Sequence, residues 1–302
     1  MKDIIIIGGG PAALTAALYA GRAGLDALML EKQYEGGQIV TTNEVENYPG
    51  FRSITGSELA NTMYEHAKDF GSIMKYEEVI DIKVDGDIKK VITGVNTYES
   101  KVIILSMGAK PKKLGIDREE ELTGKGVSYC ATCDGGFFRK KVVAVVGGGD
   151  TAVEDALHLS RIAEKVYVIV RRDLLRANKS AQKKLFETNN VEIIWNSGVT
   201  KLNGEEKLSG IEIKNNKDGK IDNLEVNGVF VAIGSEPSSE LVKDLVALDK
   251  NGYIIADESC KTNVDGIFAI GDIRTKEVRQ VLTAAADGAV SIYGAEKYLI
   301  NH

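Results

Sequence analysis

The chain has 302 residues, 43% of them hydrophobic and 27% charged, a balance that excludes a mostly disordered or collagen-like protein. At about 150 residues per domain this length predicts about two domains, and 38 Lys+Arg against 44 Asp+Glu, a net charge of −6, supply no global field toward nucleic acid or anionic lipid. No apolar run approaches the ~20 residues of a membrane span, and the N-terminal apolar core Ile4–Ile7, followed at once by glycines, is too short for a signal peptide; a cytoplasmic protein is expected.

The first element is an apolar run of strand length, Asp3 to Ile7, leading into Gly8-Gly9-Gly10-Pro11-Ala12-Ala13 and the helical pattern Leu14 to Ala20. In this Gly-x-Gly-x-x-Ala turn Gly8 permits the tight bend, Gly10 lets a pyrophosphate approach the backbone, and Ala13 lets helix pack on strand. A second strand, Asp26 to Leu30, ends at Glu31, where an acid accepts hydrogen bonds from a ribose diol and favours FAD or NAD over a 2′-phosphate. The plainer alternative is a glycine-rich turn with an unrelated surface glutamate. Val102 to Gly108 is a further buried-looking strand ending in glycine, and the Lys-, Glu- and Gly-rich stretch Ala109 to Gly126 is a connector.

Next comes Cys130-Ala-Thr-Cys133-Asp134. Two cysteines at i and i+3 at the start of a helical turn can close a disulfide, a helix N-terminus favours the thiolate, and Asp134 stands where it could move a proton. Half of a zinc site is the competing reading, but four ligands are needed and no second Cys-x-x-Cys or His pair is at hand; no metal is expected. Cys260 reads as a buried structural thiol, and His66, His158 and His302 receive no catalytic role.

The strand–turn–helix pattern then recurs at Val142 to Val146, Gly147-Gly148-Gly149-Asp150-Thr151-Ala152 and Val153 to Leu159. Its second strand, Lys165 to Val170, is followed by Arg171, Arg172 and Arg176 where the first copy has an acid. Guanidinium groups suit the 2′-phosphate of NADP, which a carboxylate would repel; the alternative is a solvated charged face partnered by Asp173. Val229 to Gly234 closes this copy. The chain then runs through a second connector, Gly234 to Val242, to Gly266-Ile-Phe-Ala-Ile-Gly271-Asp272 and the small-residue helix Ala284 to Val290, more material than the second unit needs. We expect an α/β fold of two Rossmann-like units, the second inserted into the first and the C-terminal segment completing the first.

With Gly8–Ala13, Cys130–Asp134, Gly147–Ala152, Arg171-Arg172-Asp173 and Gly271-Asp272 in view, the whole chain resembles the bacterial-type, low-molecular-weight thioredoxin reductases. Most specific is Cys130-Ala-Thr-Cys133-Asp-Gly directly ahead of the second glycine turn, with further matches in Glu31 through Gly36-Gly37-Gln38, in Glu44 to Gly50 around Asn47, and in Arg279-Gln280. The resemblance implies an FAD domain formed by residues 1–111 and 242–302 and an inserted NADPH domain, 112–241, carrying the redox disulfide. It implies flavin contacts from Gly10, Pro11, Ala12, Glu31, Gln38, Asn47, Asp272, Arg279 and Gln280, with Arg171, Arg172 and Arg176 on the 2′-phosphate and Cys133 as the flavin-side thiol. Electrons would pass from NADPH through FAD and Cys130–Cys133 to thioredoxin, in a homodimer. A related flavin-dependent disulfide reductase with ferredoxin as donor, or with another acceptor protein, is the alternative. Three positions depart from the family pattern: Val170 where His often precedes the arginines, Gly136 where many members carry a large apolar residue, and Ala13 where Gly is common.

Overall fold

β1 (Lys2–Ile7) is buried from Ile4 onward, as a strand covered on both faces must be. In a computed structural model of the chain, which describes residues 1–42 and 44–302, this strand lies inside a seven-stranded sheet. The chain turns at Gly10 into α1 (Pro11–Arg22), with Pro11 pre-set for the first helical position, and the alanines at 12, 13, 16, 17 and 20 give it a thin, fully buried face. β2 (Ala27–Glu31) returns parallel to β1. α2 (Gly56–Asp69) starts with a capping box in which the Thr55 hydroxyl and the Glu58 carboxylate satisfy each other's backbone N–H groups, and β3 (Ile73–Tyr76) extends the parallel set.

β4 (Val79–Asp85), β5 (Ile88–Thr93) and β6 (Thr97–Leu105) form an antiparallel meander, and β6 swings back to pair parallel with β1. A short strand, β7 (Ala109–Pro111), then leaves the unit.

The second unit contains α3 (Glu119–Leu122), β8 (Val127–Ser128), α4 (Ala131–Asp134), β9 (Val142–Val146), α5 (Asp150–Ser160), β10 (Lys165–Ile169), α6 (Lys179–Phe186) and β11 (Val191–Ile194). An antiparallel sheet of β12 (Ser197–Asn203), β13 (Gly210–Asn215) and β14 (Ile221–Leu224) follows, and then β15 (Gly228–Val231). The five parallel strands run in the order β11-β10-β9-β15-β8, the open doubly wound pattern that puts ligands at the carboxyl ends of its strands. β16 (Ser235–Pro237) pairs with β7 as a two-stranded ribbon.

β17 (Ile267–Ala269) adds parallel to the C-terminal half of β6, and α7 (Val281–Asn301) packs on α1. At Gly288 a Cβ would strike the Ala12 carbonyl, so only glycine allows this helix contact. The chain thus divides into residues 1–110 with 236–302 and residues 111–235. The second boundary lies earlier than the expected 241/242, because Leu241, Val242 and Val246 pack with Ile5, Ile7 and Leu105 of the first unit. No helix among the described residues is long and apolar enough to cross a membrane.

Candidate active site

In the first unit Gly8 has a φ of +114°, and a Cβ there would run into the Ser106 carbonyl; the bend demands glycine. Gly10, by contrast, faces open space with no atom within 4 Å of a Cβ position, at the N-terminus of α1, where the backbone N–H groups of the first turn lack helical partners and Pro11 has none to satisfy. Gly9 lies against the Glu31 side chain, and Gly37 sits 3.2 Å, at its Cβ position, from the Gly10 Cα. Gln38 donates to the Ala109 carbonyl and Asn47 Nδ2 donates to Gln280 Oε1 at 3.0 Å. A Cβ at Gly271 would lie 3.1 Å from that of Ala12, so the residue before Asp272 packs on the first turn. Arg279 stacks over Tyr253 at 4.1 Å. The structure therefore assembles Gly8, Gly10, Pro11, Ala12 and Ala13 with Gly37, Gly271 and Asp272, from distant parts of the sequence.

Asp272 Oδ1 is a buried oxygen with no hydrogen-bond partner among the described residues, and burial pushes the Asp272 carboxyl above its ordinary range despite the cations of Lys276 and Arg279. A buried acceptor of this kind costs free energy unless something donates to it, and a polyhydroxylated flavin side chain has the chemistry to do so.

In the second unit Gly147 has a φ of +152° with the Ala232 carbonyl pressed against it, and Gly149 faces open space at the start of α5. The arginine loop is bonded to this turn: the Arg176 N–H donates to the Gly148 carbonyl at 2.7 Å, and Asp150 Oδ1 accepts from Asn178 N and Nδ2 at 2.8 and 3.0 Å. Asp150 is thus a brace for the loop. Asp173 pairs with Lys217 at 3.2 Å, which leaves the guanidinium groups of Arg171, Arg172 and Arg176 exposed and, among the described residues, without a carboxylate partner. Val170 is buried against Gly148, an apolar wall where an imidazole would offer a bond. Thr151 is exposed and Ala152 buried on α5.

Cys130 and Cys133 form a disulfide, Cα atoms 5.3 Å apart. Cys130 is the N-cap of α4, and its Sγ accepts from the Cys133 N–H at 3.2 Å. Ser128, which sequence reasoning did not single out, ties the motif together: its hydroxyl accepts from Cys130 N at 3.1 Å and donates to Asp134 Oδ2 at 2.6 Å. Burial raises the Asp134 carboxyl above the ordinary aspartate range, partly offset by that Ser128 bond, so it holds a proton more readily than a surface acid. Gly135 lies against Leu159 and the His158 ring, and Gly136 is exposed. His158 therefore flanks the motif, although nothing in its sequence context marked it. Burial, with Arg161 nearby, lowers its basicity. Cys260 is fully buried, with φ +63°, and burial pushes its thiol up to about 12.

The family model for pyridine nucleotide-disulphide oxidoreductases matches residues 2–288. A thioredoxin reductase of Listeria monocytogenes is 46% identical over 299 residues, covering 98% of this chain and 93% of that protein, and one of Peptoclostridium acidaminophilum is 47% identical over 304 residues, with 98% and 96% covered. The crystal structure of thioredoxin reductase from Streptococcus pyogenes superposes with a TM-score of 0.94 at 45% identity, covering 100% of this chain and 99% of that one. The chain belongs to the pyridine nucleotide-disulphide oxidoreductases and, within them, to the thioredoxin reductases.

Proposed function

We propose that the protein is an NADPH-dependent thioredoxin-disulfide reductase, with FAD in the first unit and NADPH in the second. The observation that carries this reading is the Cys130–Cys133 disulfide, with its raised Asp134 carboxyl, in the same unit as a glycine turn to which the loop of Arg171, Arg172 and Arg176 is bonded, these three having no carboxylate partner among the described residues. Bound FAD supplies the two-electron chemistry that links a nicotinamide to a disulfide. In the first unit Gly10 and the α1 N-terminus would hold the pyrophosphate of FAD, Glu31 the ribose diol, and Asp272 the flavin side-chain hydroxyls. In the second unit Gly149 and the α5 N-terminus would take the pyrophosphate of NADPH, while Arg171, Arg172 and Arg176 would hold its 2′-phosphate.

Once the pair is reduced, the Cys130 thiolate attacks the disulfide of thioredoxin: the substrate S–S bond breaks and a mixed disulfide forms. Cys133 then attacks Cys130 Sγ, which releases the second substrate thiol and restores Cys130–Cys133. The two protons of the enzyme dithiol end on the two substrate thiols, and Asp134, bonded through Ser128 to the Cys130 backbone, relays one of them. The purified protein should show a flavin spectrum that bleaches on anaerobic NADPH addition and returns on addition of oxidised thioredoxin. Bleaching by NADH with the same kcat/KM, or no return with thioredoxin, overturns the assignment.

A further inference from the structure

Glu119 is 3% exposed, yet among the described residues it makes no ion pair. One carboxylate oxygen accepts from Leu114 N–H at 2.8 Å and from the Tyr129 hydroxyl at 2.8 Å; the other accepts from Gly115 N–H at 2.8 Å. Leu114 and Gly115 follow the connector strand β7, whereas Tyr129 immediately precedes the redox cysteine Cys130. One buried carboxylate therefore joins the segment entering the second unit to the residue before the disulfide, closing the intervening chain into a loop. Burial and the Glu119 bond push the Tyr129 hydroxyl up to about 12, so it stays a donor throughout the neutral range.

The approach to Glu119 is strained. Arg118 has a left-handed φ of +67°, a conformation that persists in a non-glycine residue only where its surroundings fix it. Here they do: the Arg118 guanidinium bonds the carbonyls of Gly204 and Glu205 and the Glu121 carboxylate, and this turn directs the next side chain inward.

We propose that Glu119, acting through Tyr129, is a positioning residue that fixes Cys130 for thiol–disulfide exchange. Ser128 holds the Cys130 N–H on one side and the pinned Tyr129 ring fixes the adjoining peptide, so the sulfur's direction of approach is set by two anchors rather than by the short helix alone. Exchange needs near-linear alignment of three sulfurs, and small misplacements of a reacting group are costly.

The proposal rests on the reductase reading for its kinetic arm and is independent of it for its chemical arm. Tyr129→Phe removes one hydroxyl and keeps the ring; Glu119→Gln keeps the shape and puts an NH2 against groups that donate. In Tyr129→Phe we expect iodoacetamide alkylation of Cys130 in the reduced protein, located by mass spectrometry, to accelerate about threefold or more. We also expect kcat for thioredoxin reduction to fall about three- to tenfold with KM within about twofold, and NADPH-driven ferricyanide reduction to stay unchanged. Glu119→Gln should do the same where it folds. An alkylation rate in Tyr129→Phe within about 1.5-fold of the unmodified protein overturns the proposal, even if the melting temperature drops, since a purely structural bond would lower stability alone. If the unmodified protein reduces no thioredoxin, the functional reading fails and the alkylation rates still decide the positioning role.

Discussion

Asp155 carries a penalty that the fold tolerates. It stands three residues after Ala152 and four before Leu159 on α5, the helix whose buried residues share a core with Ala131 of the redox motif, and burial, reinforced by Glu154, pushes its carboxyl up to about 6. A native pKa raised above the unfolded value means that ionisation costs stability. The cost is complete above about pH 7 and fades as the pH falls through the native value toward about 4. Asp155→Asn should therefore raise the melting temperature at pH 7.5, by the equivalent of about 1–3 kcal/mol, and by roughly half as much at pH 5; an equal gain at both pH values would assign the effect to something other than charge. The cysteines make a different prediction. Cys130→Ser and Cys133→Ser should each abolish thioredoxin reduction and leave flavin bound and reducible by NADPH, because the residues proposed to hold the flavin lie in the other unit. Near-normal turnover in either variant removes the relay from the mechanism.

Between elements, the parts most legible in the sequence are those where backbone and chemistry make the same demand. β1 with α1 and β9 with α5 announce themselves because a strand buried on both faces, a glycine bend and an alanine-rich helix leave few other residue choices. Strands β4 and β5 of the meander and the sheet β12–β14 were not anticipated: β4, β12 and β14 are largely exposed or half exposed, and mixed polar and apolar residues there give no strong period. Glu119 and His158 were missed for a related reason, since their bond to Tyr129 and contact with Gly135 depend on the fold, and Ser128 because its local bonds to Cys130 and Asp134 belong to no spacing pattern that was sought. A search for a partner to Asp134 could have raised Ser128. The arginine loop after β10 is bonded to the glycine turn at Gly148 and Asp150, which holds its backbone beside that turn. Charge-assisted bonds to phosphate contribute about 1.5–3 kcal/mol each, so replacing Arg171 and Arg172 together by Gln should lower kcat/KM for NADPH by well over about tenfold and barely alter NADH. Parallel losses with both nicotinamides would move the arginines out of the 2′-phosphate site.

At the scale of the molecule, the order of motifs along the chain sets a mechanical requirement. Cys133 precedes Gly147 by only 14 residues, and both belong to residues 111–235, whereas the residues proposed to hold the flavin belong to residues 1–110 and 236–302. For electrons to pass, the nicotinamide and the disulfide must each come within about 3–3.5 Å of the same flavin. Two sites on one rigid unit are not expected to occupy one contact position together, and the reduced thiols must also reach a protein substrate. The chain passes between the units through the segments around β7 and β16, whose pairing is flanked by the bonds Lys112 N to Gly234 O and Ser238 N to Gly108 O, each 2.9 Å. A narrow ribbon between two bodies with separate cores is the kind of joint that permits movement of the whole unit. We expect turnover to require the inserted unit to alternate between two placements. A disulfide engineered between the units, verified as fully formed, should allow one half-reaction in a single-turnover experiment and stop the steady state, with reduction of the cross-link restoring it. Steady-state thioredoxin reduction at the normal rate by the cross-linked protein would show that both transfers occur in a single arrangement, and the movement would then have no place in the mechanism.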